Sequence, residues 1–161
     1  MIDYNNFQII IDTREQQPWT FDHHLVSSEK LDTGDYSVRG LEEILCIERK
    51  KSVSEIANNI TEKRFKDVVG RMTQYKYSFL LLEFDLEDIL IYPVGSTVPK
   101  KMWDKIKISP NFIIKHLVEL QVYFNIKVLF CGCPSNAERM ALSIMKKVYE
   151  IEGQPKPKEN I

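Results

Sequence analysis

The sequence predicts an α/β fold in which a central sheet is covered by helices on both faces. Two observations carry this. After residue 44, nearly continuous apolar strand segments alternate with helical apolar stripes, and strands that are apolar throughout belong to sheets buried on both sides. The 161 residues are also enough for one domain with a real core. No repeat or linker composition divides the chain. The domain is expected over residues 1–152, with 153–161 as a disordered Pro/Lys/Glu tail.

Each element has its own signal. Residues 7–13 (FQIIIDT) form a short apolar run that reads as a buried first strand. Gln16-Gln17-Pro18-Trp19 is a loop, because proline ends the strand pattern, and a second strand is expected near 25–31. Asp32-Thr33-Gly34-Asp35 is a turn in which Gly34 is free to take positive φ. Residues 36–38 and 44–49 read as hairpin strands around Arg39-Gly40-Leu41-Glu42. Ser52-Val53-Ser54-Glu55 is a capping box, so a helix begins there with Val53, Ile56, Ala57 and Ile60 as its stripe. A second stripe, Phe65, Val68, Val69 and Met72, follows a kink near 61–63.

Residues 78–84 (SFLLLEF) form a strongly apolar strand, 86–92 fit either helix or strand, and 93–99 read as a loop. Ser109-Pro110 opens a helix to about residue 124, with proline at the first helical position. Residues 126–131 are another strand, and Ser135-Asn136-Ala137-Glu138 is a capping box expected to open the last helix.

Composition narrows the function classes. No apolar run approaches the roughly 20 residues of a membrane span, and the polar, acidic N-terminus is not a signal peptide. Cys46, Cys131 and Cys133 make no disulfide framework and lack zinc spacing, so all three are expected as buried thiols in a reducing, cytoplasmic setting. A formal net charge of −1 removes any global electrostatic case for nucleic acid. DNA binding would have to rest on local patches.

Chemistry concentrates where the early strands end, at Asp12, Glu15, Asp35 and Glu48. Glu48 and Lys50 are two apart on a predicted strand, so they leave one face with Cys46, while Ile47 and Arg49 leave the other. A carboxylate and an ammonium at a strand end, beside a Gly-Asp turn, suit phosphodiester hydrolysis. Asp35 and Glu48, with Asp12 or Glu15, offer the oxygens that Mg²⁺ prefers, and Mn²⁺ can substitute. Such an ion activates water and stabilises the leaving oxygen, while Lys50 would offset developing charge. Glu15 could equally pair with Arg14 or Arg49, and Arg49 and Arg14 could each brace a carboxylate or meet a phosphate.

Asp–x(n)–Glu-x-Lys resembles the core of the PD-(D/E)xK nuclease superfamily. With Asp12-Thr13-Arg14-Glu15 upstream, then Gly34-Asp35, then Glu48-Arg49-Lys50, the chain more specifically resembles the XPF-type nucleases. Arg64 to Arg71 and the strand ending in Glu83 resemble that family's next helix and strand. The resemblance implies a restriction-endonuclease-like mixed β-sheet and a structure-selective endonuclease acting on flap, fork or junction DNA in repair or recombination. By analogy it also implies a homodimer through the late helices. Asp12, Glu15, Asp35, Glu48, Arg49 and Lys50 become the expected catalytic set, and Asp12, Asp35 and Glu48 the metal ligands.

Two departures stand out. The family's closing Asp falls at Ser54, which cannot serve as an anionic ligand, and no helix-hairpin-helix module follows. A compact phage or bacterial form fits both. Arg14, Arg64, Lys66 and Arg71, together with Lys100, Lys101 and Trp103, are the expected DNA contacts; a solvated face is the alternative for the lysine stretches. The different-class alternative is a catalytically silent relative that binds DNA or supports a partner, and Ser54 is the feature in its favour.

Overall fold

Alternation along the strands decides the layers of this computed structural model, which describes residues 1–153. Six strands build one mixed sheet. They are β1 (Ile9–Asp12), β2 (Val26–Glu29), β3 (Tyr36–Val38), β4 (Leu45–Lys50), β5 (Tyr77–Leu82) and β6 (Lys127–Phe130), in the order β2-β1-β3-β4-β5-β6. β3 runs antiparallel to β1 and β4, whereas the β1–β2, β4–β5 and β5–β6 pairs are parallel.

Side chains on neighbouring strand positions go to opposite cores. Cys46, Leu80 and Leu82 pack under α1 (Val53–Asn59), α2 (Lys63–Met72), α3 (Leu86–Leu90) and α4 (Pro110–Val122). Ile9, Ile11, Tyr36, Val38, Leu45, Ile47 and Leu81 pack on the other face, against α5 (Pro134–Glu152) and the segment bearing Trp19 and Phe21. Helices thus cover both faces, as the apolar strands predict.

Local signals hold at most boundaries. Ser52 caps α1 by accepting the Glu55 N–H at 3.2 Å, and Ser109 caps α4 the same way from Phe112, with Pro110 at the first turn. The expected kink is a full break between α1 and α2.

One open reading is resolved and two expectations need correction. Residues 86–92 contain a short helix, because Asp88 accepts the Asp85 N–H at 2.8 Å and closes its first turn. The last helix begins at Pro134 with Cys133 as its N-cap, so Ser135 lies inside it; the preset φ of proline starts the helix earlier, and Glu138 accepts the Phe21 N–H at 2.7 Å instead. Only Cys46 is buried; Cys131 and Cys133 are partly exposed, since they follow the edge strand β6 in the turn to α5.

The loop expected over 93–99 leads into a 3-10 helix (Lys100–Lys105) that no pattern announced. Of the expected tail, Gly153 caps α5 by donating to Tyr149 O, and the rest lies outside the described residues. No helix among the described residues is long and apolar enough to cross a membrane.

Candidate active site

The Asp32–Asp35 turn brings its carboxylate to β4 through backbone contacts. Gly34 has φ +87°, and a Cβ there would lie 2.6 Å from Cys46 Sγ and 3.1 Å from Ile47 O. Only glycine fits both the conformation and the approach. The Asp35 N–H donates to Ile47 O and its carbonyl accepts from Asp12 N–H, each at 2.8 Å. Asp35 Oδ2 in turn accepts the Arg49 N–H at 2.8 Å. The turn is therefore stitched to β1 and β4, the strands that carry the other acids.

Alternation then sorts the charged residues. Asp12, Asp35, Glu48 and Lys50 share the α1–α2 face. A cleft of about 190 Å³ opens over the first three, with Arg14, Asp32, Thr33, Gly34, Arg64, Val68 and Arg71 completing its wall. Arg64, Val68 and Arg71 are one stripe of α2 at i, i+4 and i+7. Arg71 is set by its Nε, which donates to Thr33 Oγ1 at 3.1 Å.

Burial, then the neighbouring Glu48 charge, pushes the Asp35 carboxyl well above the usual carboxylate range, against the pull of the Arg49 N–H and Lys50. Burial also raises Glu48, although Lys50 opposes it. Lys50 Nζ lies 3.5 Å from Glu48 Oε1 and 3.8 Å from Glu55 Oε1, over the Phe65 ring at 4.9 Å. Two half-buried carboxylates that both resist ionisation, with one ammonium between acids, form a site that a divalent cation would relieve.

Asp12 differs from this pair. Burial alone would raise its carboxyl, but bonds from Arg14 and the Leu31 N–H hold it below its ordinary value. Oδ2 accepts from Arg14 Nε at 2.7 Å and Oδ1 from Leu31 N–H at 2.8 Å, so both oxygens are engaged. Arg14 also donates to Leu31 O at 2.8 Å, which ties the end of β1 to the segment that follows β2.

Glu15 and Arg49, grouped by sequence with the catalytic residues, have side chains on the reverse face. Arg49 donates to Glu83, Glu15 and the carbonyl of Gln17, while Tyr36 OH donates to Glu15 at 2.7 Å. Strand parity is the reason: residue 49 must point opposite to 48 and 50.

The basic residues divide as well. Arg14, Arg64 and Arg71 reach the cleft. Lys66 instead lines an apolar groove of about 490 Å³ between α2 and α4, beside Phe112, His116 and Phe124. Lys100 and Lys101 are exposed on the 3-10 helix, and the Trp103 indole N–H is tied to Val98 O at 3.0 Å.

Ser54 lies apart from Asp12, Asp35 and Glu48, at a separate groove of about 230 Å³ with Lys51, Phe84 and Tyr92, and its hydroxyl is buried. The carboxylate that reaches Lys50 from α1 is Glu55, one position on. Helical rotation of about 100° per residue argues against Glu55 as a substitute for the family's Asp at Ser54, yet Glu55 reaches Lys50. Phe65 and Thr33 join the site only through the placement of α1 and α2 over the sheet.

The donor set suits a hard divalent cation. Among the described residues no three His, Cys, Asp or Glu side chains gather to enclose an ion, but Mg²⁺ is commonly held by one or two carboxylates plus substrate phosphate and water. Asp35 and Glu48 supply those two carboxylates.

Residues 11–144 match the ERCC4 domain family model. A 102-residue stretch is 26% identical to the 3'-flap repair endonuclease Xpf of Saccharolobus solfataricus, covering 63% of this chain and 36% of that protein. The chain thus spans about a third of the length of the curated relative it matches. The structure of XPF from Aeropyrum pernix superposes with TM-score 0.66 at 18% identity, over 96% of this chain and 69% of that one. XPF from Aeropyrum pernix in complex with DNA gives TM-score 0.62 at 15% identity, over 94% and 68%. The likeness establishes the restriction-endonuclease-like fold.

Proposed function

This chain belongs to the ERCC4 domain family, and on that basis we propose that it is a metal-dependent DNA endonuclease hydrolysing phosphodiester bonds in branched DNA. The single observation carrying this reading is the half-buried Asp35–Glu48 pair beside Lys50, roofed by Arg64 and Arg71. Its relatives named as a flap endonuclease and as a DNA complex support the substrate class.

Asp35 and Glu48 are the proposed ligands of Mg²⁺, or of Mn²⁺ in its place. A cation bound by these two carboxylates would supply Lewis acidity to a phosphate oxygen and to the attacking water. Lys50, fixed between Glu48 and Glu55, offsets the charge that develops on the phosphate during attack. Arg64 and Arg71 hold the flanking phosphates. Arg14 is bonded to Asp12 and more than half exposed; turned onto a phosphate, it would free an Asp12 oxygen to serve as a third ligand. Lys100, Lys101 and Trp103 form a proposed second contact along the DNA, with Lys66 at its margin. Glu15 and Arg49 support the site from the reverse face.

The proposed assembly is a homodimer through the late helices, supported by the exposed Val118, Val122, Tyr123 and Met140 on α4 and α5. Sedimentation at micromolar concentration should give a dimer, and a monomer would remove this part.

The test is cleavage of labelled flap, fork and four-way-junction DNA in Mg²⁺. Branched substrates should be cut in preference to plain duplex, and Asp35→Ala and Glu48→Ala should abolish cutting. Activity unchanged in those variants would sink the reading. The second reading, a silent DNA-binding relative, is favoured by the lack of a three-ligand cluster among the described residues. Tight junction binding without cleavage in Mg²⁺ or Mn²⁺ would select it.

A further inference from the structure

The reverse face of the sheet carries a buried polar cluster whose links run to the cleft. Arg49 grips Glu83 with two prongs, Nε to Oε2 at 2.8 Å and Nη2 to Oε1 at 3.2 Å. The Trp19 Nε1–H donates to that same Oε2 at 2.8 Å, and the Trp19 ring lies 4.7 Å from the guanidinium. Trp19 also stacks on Tyr36 at 4.4 Å, and its N–H donates to the Tyr36 hydroxyl at 3.0 Å. Arg49, Glu83 and Trp19 are all buried.

Burying an ion pair costs desolvation, and a well-packed apolar pair is often no less stable. Geometry supplies a use for this one. The Arg49 N–H aims Asp35 Oδ2, and the residues on either side of Arg49 are Glu48 and Lys50. Glu83 is fixed in turn, since its N–H donates to Lys50 O at 2.9 Å and extends the β4–β5 register by one residue. Anchoring the Arg49 side chain behind the sheet therefore fixes the backbone that orients all three cleft groups.

We propose that Glu83 and Trp19 are positioning residues for the carboxylate site, acting through Arg49. The proposal rests on the nuclease reading of the cleft. Both side chains lie on the reverse face of the sheet and line no part of the cleft. Their effect is on how Asp35 and Glu48 are held.

Glu83→Gln keeps the shape but removes the charge and turns an NH₂ toward one of the donors. Misplacement of about 1 Å can cost 10²-fold in rate. The expected result is a kcat on flap DNA lowered about 10- to 100-fold at saturating Mg²⁺, with KM for DNA little changed. In the metal-free protein, the ¹H–¹⁵N signal of the Arg49 amide should move, because its bond to Asp35 is altered. Trp19→Phe keeps an aromatic ring but drops the Nε1–H donor and half of the indole, so both effects should appear in weaker form.

Folded Glu83→Gln protein with unchanged kcat and an unmoved Arg49 amide would overturn the proposal and leave the cluster a stabilising one. A kcat loss that vanishes after correction for the folded fraction, with the amide unmoved, would do the same. Should Glu83→Gln not fold, Trp19→Phe decides by the same two readouts. Should the wild type cut no DNA, the functional reading falls by itself, and the amide signal still decides whether Glu83 governs the Asp35 contact.

Discussion

The backbone N–H of Arg49 donates to Asp35 Oδ2 at 2.8 Å, while the Arg49 guanidinium lies on the far side of the sheet. One residue thus aims a cleft carboxylate with its main chain and anchors the strand with its side chain.

Asp35→Asn should abolish cleavage yet raise the melting temperature of the metal-free protein at neutral pH. The folded-state pKa of Asp35 is raised by burial first and by Glu48 second. A raised carboxyl pKa gives stability that is present below the ordinary value of 3.8 and lost as pH rises through the folded value. Asp12 has the opposite sign: its lowered pKa gives stability above 3.8 that is lost as pH falls. Asp12→Asn should therefore destabilise at neutral pH, by about 1.5–3 kcal/mol for a charged hydrogen bond. Thermal melts of both variants from pH 3 to pH 8 check the pair.

Mg²⁺ should stabilise the wild type, because a cation between Asp35 and Glu48 relieves their mutual repulsion. At a hundred times Kd the gain is about 2.7 kcal/mol, a rise of ~5–10 °C for a domain of this size. Glu48→Gln should lose most of that rise. An equal rise in wild type and Glu48→Gln would place the cation elsewhere.

Gly34→Ala should destabilise by about 2 kcal/mol or more, combining the left-handed backbone cost with the Cys46 clash. Adding Cys46→Ala should relieve the clash and leave the backbone cost, so urea denaturation of the double variant should recover only part of the loss. Full recovery would mean that the conformation itself is not strained.

Arg64→Ala and Arg71→Ala should each weaken DNA binding and lower the salt slope of log K by about 1, as expected for loss of one phosphate contact. Lys66→Ala, whose side chain lines the α2–α4 groove, should change the slope less. Fluorescence anisotropy across a salt series separates these outcomes.

Much of the site was legible because a strand has period two. That periodicity alone puts Glu48 and Lys50 together and sends Arg49 away, and the β3 bounds and the positive φ of Gly34 follow from equally local rules. What escaped depends on residues far apart in the chain. Trp19 and Glu83 meet at Arg49 only after β5 has aligned with β4. Parity predicts that Arg49 points backward, but not what receives it. At Ser54 the family pattern marks the position, yet only the orientation of α1 shows that Glu55 is the residue reaching Lys50. The cap at Cys133 escaped for a simpler reason: Pro134 starts the helix before the polar residues that look like its cap.

β4 is bonded to β5 along its whole length and to β3 at Ile47, and beyond Ile47 the Asp35 carboxylate holds the Arg49 N–H in place of a strand. The β4 amides bonded to β5 can meet solvent only when the sheet itself opens. In hydrogen–deuterium exchange, residues 46–50 should rank with the slowest of the chain, while the 93–105 segment exchanges through local opening. The catalytic platform would then be a fixed anvil, and any adjustment to a bent or branched strand must come from α2 and the surface loops.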